Sequence, residues 1–414
     1  MRRWRWAVVA AALLAGACTA GVREARPFEG VWQSMGYGFY LVVGDGLVQV
    51  YEHTSAACLP VSSESARGIS EIATLEGGTL VLNDRGRVIR FTPLGGLPDR
   101  CHEEPDPGDT LAVAAASIEE LHPSWEARDP QWVVRRDAML AAPHPADPGA
   151  LLTALRALLE PLGDPQVRLA VSDETILPEG RWSADPPAEE TVRLLEWVGG
   201  SFAERDGIYW GRLPQGPGYL MITRLGSAAS DPQESERRLA VALDRALEEM
   251  DDTPSLILDL RTLRDGTESA ALLAASRFIP HTTEVGSSAV RLDRAGRYGD
   301  PVPLTVNPLP GGVYRGALFV LVGADTAGPG ELLALSLESV PGATLVGAAT
   351  AGSPSPILVR ALPNGWSLGL PYLSVRDPEG RLIEPTGIEP DVAVPRAPGE
   401  EDGQLARAVE LATG

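Results

Sequence analysis

The stretch SLILDLRTLRDGTESAALLAASRFI (Ser255–Ile279) decides the fold. It opens on a short apolar run of strand length, crosses a polar turn, and continues as a helix from Ser269. GALFVLVGADTAGPGELLALSLESV (Gly316–Val340) repeats the sequence of events: a buried strand, a turn, and a helix opening on two glycines. TLVGAAT (Thr344–Thr350) is a strand, and WSLGLPYLSV (Trp366–Val375) another. Upstream, GYLMITRLG (Gly218–Gly226) reads as a strand and SERRLAVALDRALEEMDD (Ser235–Asp252) as an amphipathic helix with an acidic end. Strands alternating with helices predict a layered α/β core.

Further out, the pattern changes. GYGFYLVVGDGLVQVYEH (Gly36–His53) has two apolar stretches around Gly44-Asp45-Gly46, a hairpin signal. TLVLNDRGRVIRFTPL (Thr79–Leu94) repeats it around Asn83-Asp84-Arg85-Gly86. Residues 27–105 therefore read as a small β domain, and EEPDPGD (103–109) as a linker. Residues 110–165 read as a helical segment. In PGALLTALRALLEPLG, Leu151, Leu152, Leu155, Leu158 and Leu159 take the spacing of one helix face. Residues 173–190, polar and proline-rich, read as a surface excursion, and the α/β core is expected over 166–412.

The chain has 414 residues, 44% of them hydrophobic and 22% charged, the balance of a globular protein with a sizeable core. Its formal net charge of -21 repels phosphate backbones and argues against nucleic acid as a partner. All 35 basic residues are arginine. Without lysine, neither a lysine base nor a Schiff base is available.

Residues 1–18, MRRWRWAVVAAALLAGAC, place three arginines before an apolar run and end it in small residues. The run is too short to span a bilayer and reads as a secretory signal. Leu14-Ala15-Gly16-Ala17-Cys18 resembles a bacterial lipobox, which implies cleavage before Cys18 and a diacylglycerol on its sulfur; the alternative is an ordinary signal peptide with an incidental cysteine. The expected product is an envelope protein facing the periplasm or exterior, anchored to the membrane through Cys18, with residues 18–26 as tether. Loss of Arg2, Arg3 and Arg5 takes the net charge from -21 to -24. Two cysteines remain, Cys58 and Cys101, most simply a disulfide in an oxidising compartment, with two buried free thiols as the alternative. No Cys-x-x-Cys or histidine cluster accompanies them, so neither a metal nor a cofactor is expected.

Four blocks in order — Ser255–Ile279, Gly316–Gly352, Ile383–Val394 and the closing helix — resemble the tail-specific (C-terminal-processing) serine protease family. That family includes the tricorn core and modules like the interphotoreceptor retinoid-binding protein. The resemblance implies a crotonase-like (ClpP/crotonase) layered α/β core, preceded here by the small β domain and helical segment. No segment carries a PDZ pattern. The family's nucleophile motif is roughly Thr-Ala-Ser-Ala-Ala-Glu. This chain reads Thr326-Ala327-Gly328-Pro329-Gly330-Glu331, which puts Gly328 at the serine position. The next residue supplies an oxyanion N–H in the family; here it is Pro329, which has none. The second donor lies in a block like Asp-x-Arg-x-Asn-x-Gly-Gly. Asp259, Arg261 and Gly266 match it, whereas Leu263 replaces the asparagine and Asp265 the first glycine. A carboxylate there opposes a developing oxyanion.

One branch of the family takes a lysine base near the position of Ser353, and this chain has no lysine. The other takes a histidine from an Asp-x-His-Val block, which reads Asp164-Pro165-Gln166-Val167 here. Glutamine cannot act as a general base. The branch's glutamate aligns with Glu384 of Glu384-Pro385-Thr386-Gly387. Ser353 and Ser355 remain as fallback nucleophiles, with turn residues as the plainer reading. Ser336, eight positions beyond Gly328, is expected to face elsewhere. His53, His102, His122, His144 and His281 sit in separate segments and are expected to be surface or loop residues.

The leading expectation is a non-catalytic binding homologue whose cleft takes a peptide, a protein C-terminus or a small apolar ligand. The alternatives are a serine peptidase with a displaced nucleophile, and an envelope scaffold in which the β domain is the working part.

Overall fold

A computed structural model describes residues 26–66, 68–84, 87–143, 145, 147–171, 174–177, 203–226, 231–309, 313–395 and 402–414. The leader, Cys18, His144, Trp182, Trp197 and most of 173–190 lie outside the described residues. The chain forms two compact units. The first comprises the described residues within Met1–Glu179, together with Ala289–Asp300 and Ile357–Leu373. The second comprises those within Gly180–Ser288, Pro301–Pro356 and Ser374–Gly414.

In the first unit, seven strands between Gly30 and Leu94 form one antiparallel sheet. The hairpin of Phe39–Gly44 and Leu47–His53 turns on Asp45 and Gly46. Both have positive φ (51° and 73°), the conformation a two-residue hairpin turn requires. Cys58 and Cys101 are joined as a disulfide, 43 positions apart. The helices Thr110–Leu121 and Pro148–Leu159 bury Leu111, Ile118, Leu155 and Leu158 against the sheet's Leu80, Ile89 and Phe91. Asp147 caps the second helix by accepting from Ala150 N, with Pro148 in its first turn. Arg168–Val171 and Glu174–Leu177 form a separate antiparallel sheet with Ile357–Ala361 and Ser367–Pro371. Leu358, Leu368 and Leu370 enter the same hydrophobic core as the first sheet.

The second unit is built on the sheet predicted from Ser255–Ile279. Its order is Ala203–Arg205, Ile208–Arg212, Gly218–Ile222, Ser255–Asp259, Ala317–Val322, Thr344–Gly347, Val392–Ala393. The first two pairings are antiparallel and the remaining four parallel. Alternation along the strands separates two apolar layers. Leu220, Leu256, Leu258 and Val320 face the helices Pro232–Glu249, Glu268–Ala275 and Pro329–Glu338, through Leu243, Ala271 and Leu333 among others. Tyr219, Met221, Ile257, Leu321 and Val346 face the closing helix Gly403–Thr413 through Leu405 and Ala408. Cover on both faces explains why the parallel strands of this mixed sheet read as continuous apolar runs.

That closing helix is also tied down electrostatically. Asp259 is fully buried; it accepts from Tyr219 Oη (2.7 Å) and from Arg261 Nη2 (2.6 Å). Arg261 Nη1 reaches both carboxylate oxygens of Asp402, at 2.7 Å each, and Gln404 Oε1 at 3.3 Å. Burial pushes the Asp259 carboxyl up, but Arg261 and the hydroxyl of Tyr219 hold it below the usual range. The Asp259 and Arg261 of the recognised block are thus a structural strut.

Candidate functional site

The site predicted around Gly328 lies where three parallel strands of the second unit run out into loops, the usual place for ligands in an open α/β sheet. Gly328 is the N-cap of Pro329–Glu338, with φ 55° and ψ -123°. Thr326 fixes the approach: its Oγ1 donates to Leu260 O (2.9 Å) and accepts from Gly323 N (3.1 Å). Gly330 is required by crowding, because a Cβ there would collide with Leu263 O.

The backbone amides of this elbow are all engaged. Thr326 N donates to Gly323 O (2.8 Å), Ala327 N to Leu263 O (3.0 Å) and Gly328 N to Ser353 O (2.9 Å). Pro329 has no N–H. Gly330 N donates to Ala327 O (3.0 Å), and Glu331 N and Leu332 N to Gly328 O (3.0 and 3.2 Å). An oxyanion hole needs amides aimed outward at the developing charge. In the facing loop, Gly266 N donates to the Oδ1 of Asp265 (3.0 Å), so a carboxylate of the chain occupies the second donor. Gly266 has φ 141°, and a Cβ on it would lie 2.6 Å from Leu225 O, so this position requires glycine.

Glu331, fully buried, organises the loop behind Gly328. Its Oε1 accepts from Thr350 Oγ1 (2.5 Å) and Gly352 N (2.8 Å), and its Oε2 from Ser353 N (2.7 Å). Thr350 Oγ1 in turn accepts from Ile388 N (2.8 Å). The loop after the cis Glu384–Pro385 bond is packed too closely for side chains at Gly352 and Gly387, whose Cβ atoms would meet Pro385 O and Thr350 O. Glu384, 3% exposed, accepts from Val375 N at 3.3 Å on each oxygen.

The two fallback serines share this loop, and both are buried: Ser353 at 1% and Ser355 at 0% exposure. Ser355 Oγ donates to Pro356 O at 2.9 Å. Ser336 is buried in its helix and donates to Leu332 O (2.7 Å). The structure thus gathers Gly328, Pro329, Leu263, Ser353 and Glu331 around one elbow, while Gly266 packs against Leu225.

Gln166 belongs to the first unit. It is buried, and its N–H donates to Asp164 Oδ1 (2.8 Å). Beside it the structure corrects one expectation. His122 is not a surface residue: it is fully buried, with Nε2 3.2 Å from Asp164 Oδ2, while Nδ1 accepts from Ser124 N (3.1 Å). Arg128 Nε lies 2.9 Å from the same Asp164 oxygen. Burial lowers the His122 pKa against the pull of Asp164. Burial would raise Asp164, but Arg128 and His122 hold it below the usual range. Both imidazole nitrogens are engaged, so this histidine holds the turn at Asp164. Among the described residues, no group of three or more His, Cys, Asp or Glu side chains could hold a metal ion, and no helix is long and apolar enough to cross a membrane.

Residues 217–394 match the model of peptidase family S41. This segment resembles the core of peptidase family S41. A putative peptidase from Parabacteroides merdae has the same fold, with a TM-score of 0.64 and 19% identity over 74% of this chain and 97% of that one. Also similar are a lipoprotein from Streptococcus agalactiae (TM-score 0.49, 16% identity, 77% and 98% covered) and a photosystem II D1 C-terminal processing protease (0.45, 15%, 75% and 97%). No curated protein matches. The S41 match spans the loop with Gly266, the elbow with Gly328 and the turn with Glu384, and it begins after Gln166.

Proposed function

We propose that this protein is a non-catalytic homologue of the tail-specific peptidases. On this reading it is exported, lipid-anchored through Cys18, and uses the former cleft as a groove for a peptide, a protein C-terminus or a small apolar ligand. One observation carries the reading: at the elbow where a serine would stand there is Gly328, and the amides of residues 326–328 and 330–332 already donate within the chain. Acyl transfer needs a nucleophile, a base and donors for the oxyanion. Gly328 offers no side chain, Pro329 no N–H and Gln166 no titrating group. The second oxyanion amide, at Gly266, already carries Asp265. Losses at four separate positions make this more than a one-residue lesion.

The test is proteolysis of an unstructured protein by the mature chain lacking Cys18. A Gly328→Ser variant and a fluorophosphonate labelling lane run beside it. No cleavage and no label in either protein is the expected result. Cleavage and labelling by the unmodified chain would refute the reading, and a label on Ser353 or Ser355 would establish the displaced-nucleophile alternative. For binding, peptides with a free carboxylate and their amidated counterparts serve as the first probes.

A further inference from the structure

We propose that the turn His122–Ser124 is an acid-released latch that holds the segment Ala289–Asp300 within the first unit. This inference stands apart from the reading of the S41 core. The segment is fastened to the turn through the turn's own carbonyls. Arg291 Nη1 donates to His122 O at 3.5 Å, and Tyr298 Oη donates to Pro123 O. The same arginine, 1% exposed, pairs in two-pronged fashion with Glu126 and lies over the ring of Trp125 at 5.9 Å. Arg294 reaches Glu119 and, at 3.4 Å, Ser55 Oγ. The path of the backbone at 122–124 therefore sets where two anchors of the segment can bind.

That path depends on a neutral imidazole. Nδ1 accepts the Ser124 N–H at 3.1 Å, while Nε2 faces the Asp164 carboxylate at 3.2 Å. Only a neutral ring, protonated at Nε2, can accept at one nitrogen and donate at the other. A second proton would put an N–H on Nδ1, directly against the N–H of Ser124. The contact to Asp164 would survive and the contact to Ser124 could not. The peptide between Pro123 and Ser124 must then move, and the carbonyls of His122 and Pro123 move with it. The charged neighbours add to the effect. Arg128 faces the ring from the short helix Trp125–Arg128 and Arg291 from the held segment. Asp164 is the anion in contact, while Glu119 and Glu126 are committed to Arg136, Arg294 and Arg291. Burial keeps the ring neutral at ordinary pH, so the latch is closed there.

The experiment follows backbone hydrogen exchange of the full mature chain between pH 7 and 4.5, corrected for the intrinsic pH dependence. The His122 ring nitrogens are followed by NMR over the same range. Protection of residues 289–300 is expected to fall about tenfold more than that of the sheet core, in step with protonation of His122. His122→Asn keeps an acceptor for Ser124 but does not titrate, and its segment should stay protected throughout. Three results would overturn the latch: protection that stays flat while the ring protonates, opening of the segment while the ring stays neutral, or neither change occurring in this range. If the asparagine variant does not fold, the two wild-type measurements decide alone.

Discussion

Replacing Glu331 by glutamine is expected to destabilise the second unit nearly as much as replacing it by alanine. The side chain is fully buried and accepts three hydrogen bonds, from Thr350 Oγ1, Gly352 N and Ser353 N. Glutamine has the same shape but turns one acceptor into a donor. Since Oε1 meets a hydroxyl and an amide while Oε2 meets an amide, either orientation of the new NH₂ confronts a backbone N–H. A hydrogen bond to a charged group contributes about 1.5–3 kcal/mol, and a buried donor left facing another donor costs about 1–3 kcal/mol. Removing the buried charge offsets part of this, because a carboxylate at zero exposure carries a desolvation penalty. A net loss of roughly 3 kcal/mol follows, a large share of an ordinary stability of about 5–15 kcal/mol.

Calorimetry on the mature chain is the assay. At about 2–4 °C per kcal/mol for a unit of this size, the second unit's transition should drop by roughly 6–12 °C while the first unit's stays in place. Alanine should fall in the same range. A glutamine variant within about 1 °C of the parent would refute the reasoning, since the carboxylate would then not organise the loop behind Gly328.

Asp402→Ala removes both one carboxylate partner of Arg261 and the cap that accepts from Leu405 N; the closing helix should lose about 2–3 kcal/mol of local stability, read as faster exchange over 403–413. His53 is held down to about 3, chiefly by burial and secondarily by Arg360 and Arg100. The unfolded chain takes up that proton near pH 6.5 and the folded chain only near 3, so stability is full above about 6.5 and falls as pH drops between those values. A plot of melting temperature against pH should flatten over this window in His53→Gln. Reducing the Cys58–Cys101 bond frees a closed stretch of 43 positions and should cost about 2–4 kcal/mol, seen as a lower melting point of the first unit with reductant.

What could be read in advance divides along physical lines. Gly218–Ile222, Ser255–Asp259, Ala317–Val322, Thr344–Gly347 and the helices between them carry local periodicity and form where their patterns put them, whereas the strands Ala203–Arg205, Ile208–Arg212, Thr283–Val290 and Val302–Val306 were not read from the sequence. The Asp45-Gly46 turn was legible because only a few residue types tolerate two successive positive φ angles. Gly266 was found through a motif, and crowding against Leu225 supplies the reason for it; Gly330 stands where the motif has alanine, and only its crowding against Leu263 explains it. The His122–Asp164 contact joins residues far apart in the chain, and no periodicity announces such a pair. The same limit hid Arg360. It lies on a strand that read as part of the α/β core, yet it donates to Tyr37 O, Gly38 O and His53 O, each at 3.1 Å. Nor does any motif disclose that the amides around Gly328 are spent, because that is decided by the carbonyls of Leu263 and Ser353.

The elbow's residues fit the conformation they occupy better than a nucleophile would. At φ 55° and ψ -123°, a side chain at position 328 costs on the order of 1–3 kcal/mol, strain of the kind stored at reactive turns. Glycine adopts that conformation without a Cβ penalty. Proline at the first helical position brings a φ already suited to the helix and gives up an N–H that would otherwise need a partner. On the proposed non-catalytic reading, each of these residues gives up a group that the family motif carries and relieves a local cost at the same atoms. Restoring a serine side chain at this one position would thus bring back the strain without the donors. On this argument Gly328→Ser should lower the second unit's melting point by a few degrees while leaving it unlabelled by fluorophosphonate. A variant that gained label without losing stability would show that the elbow had kept its catalytic geometry.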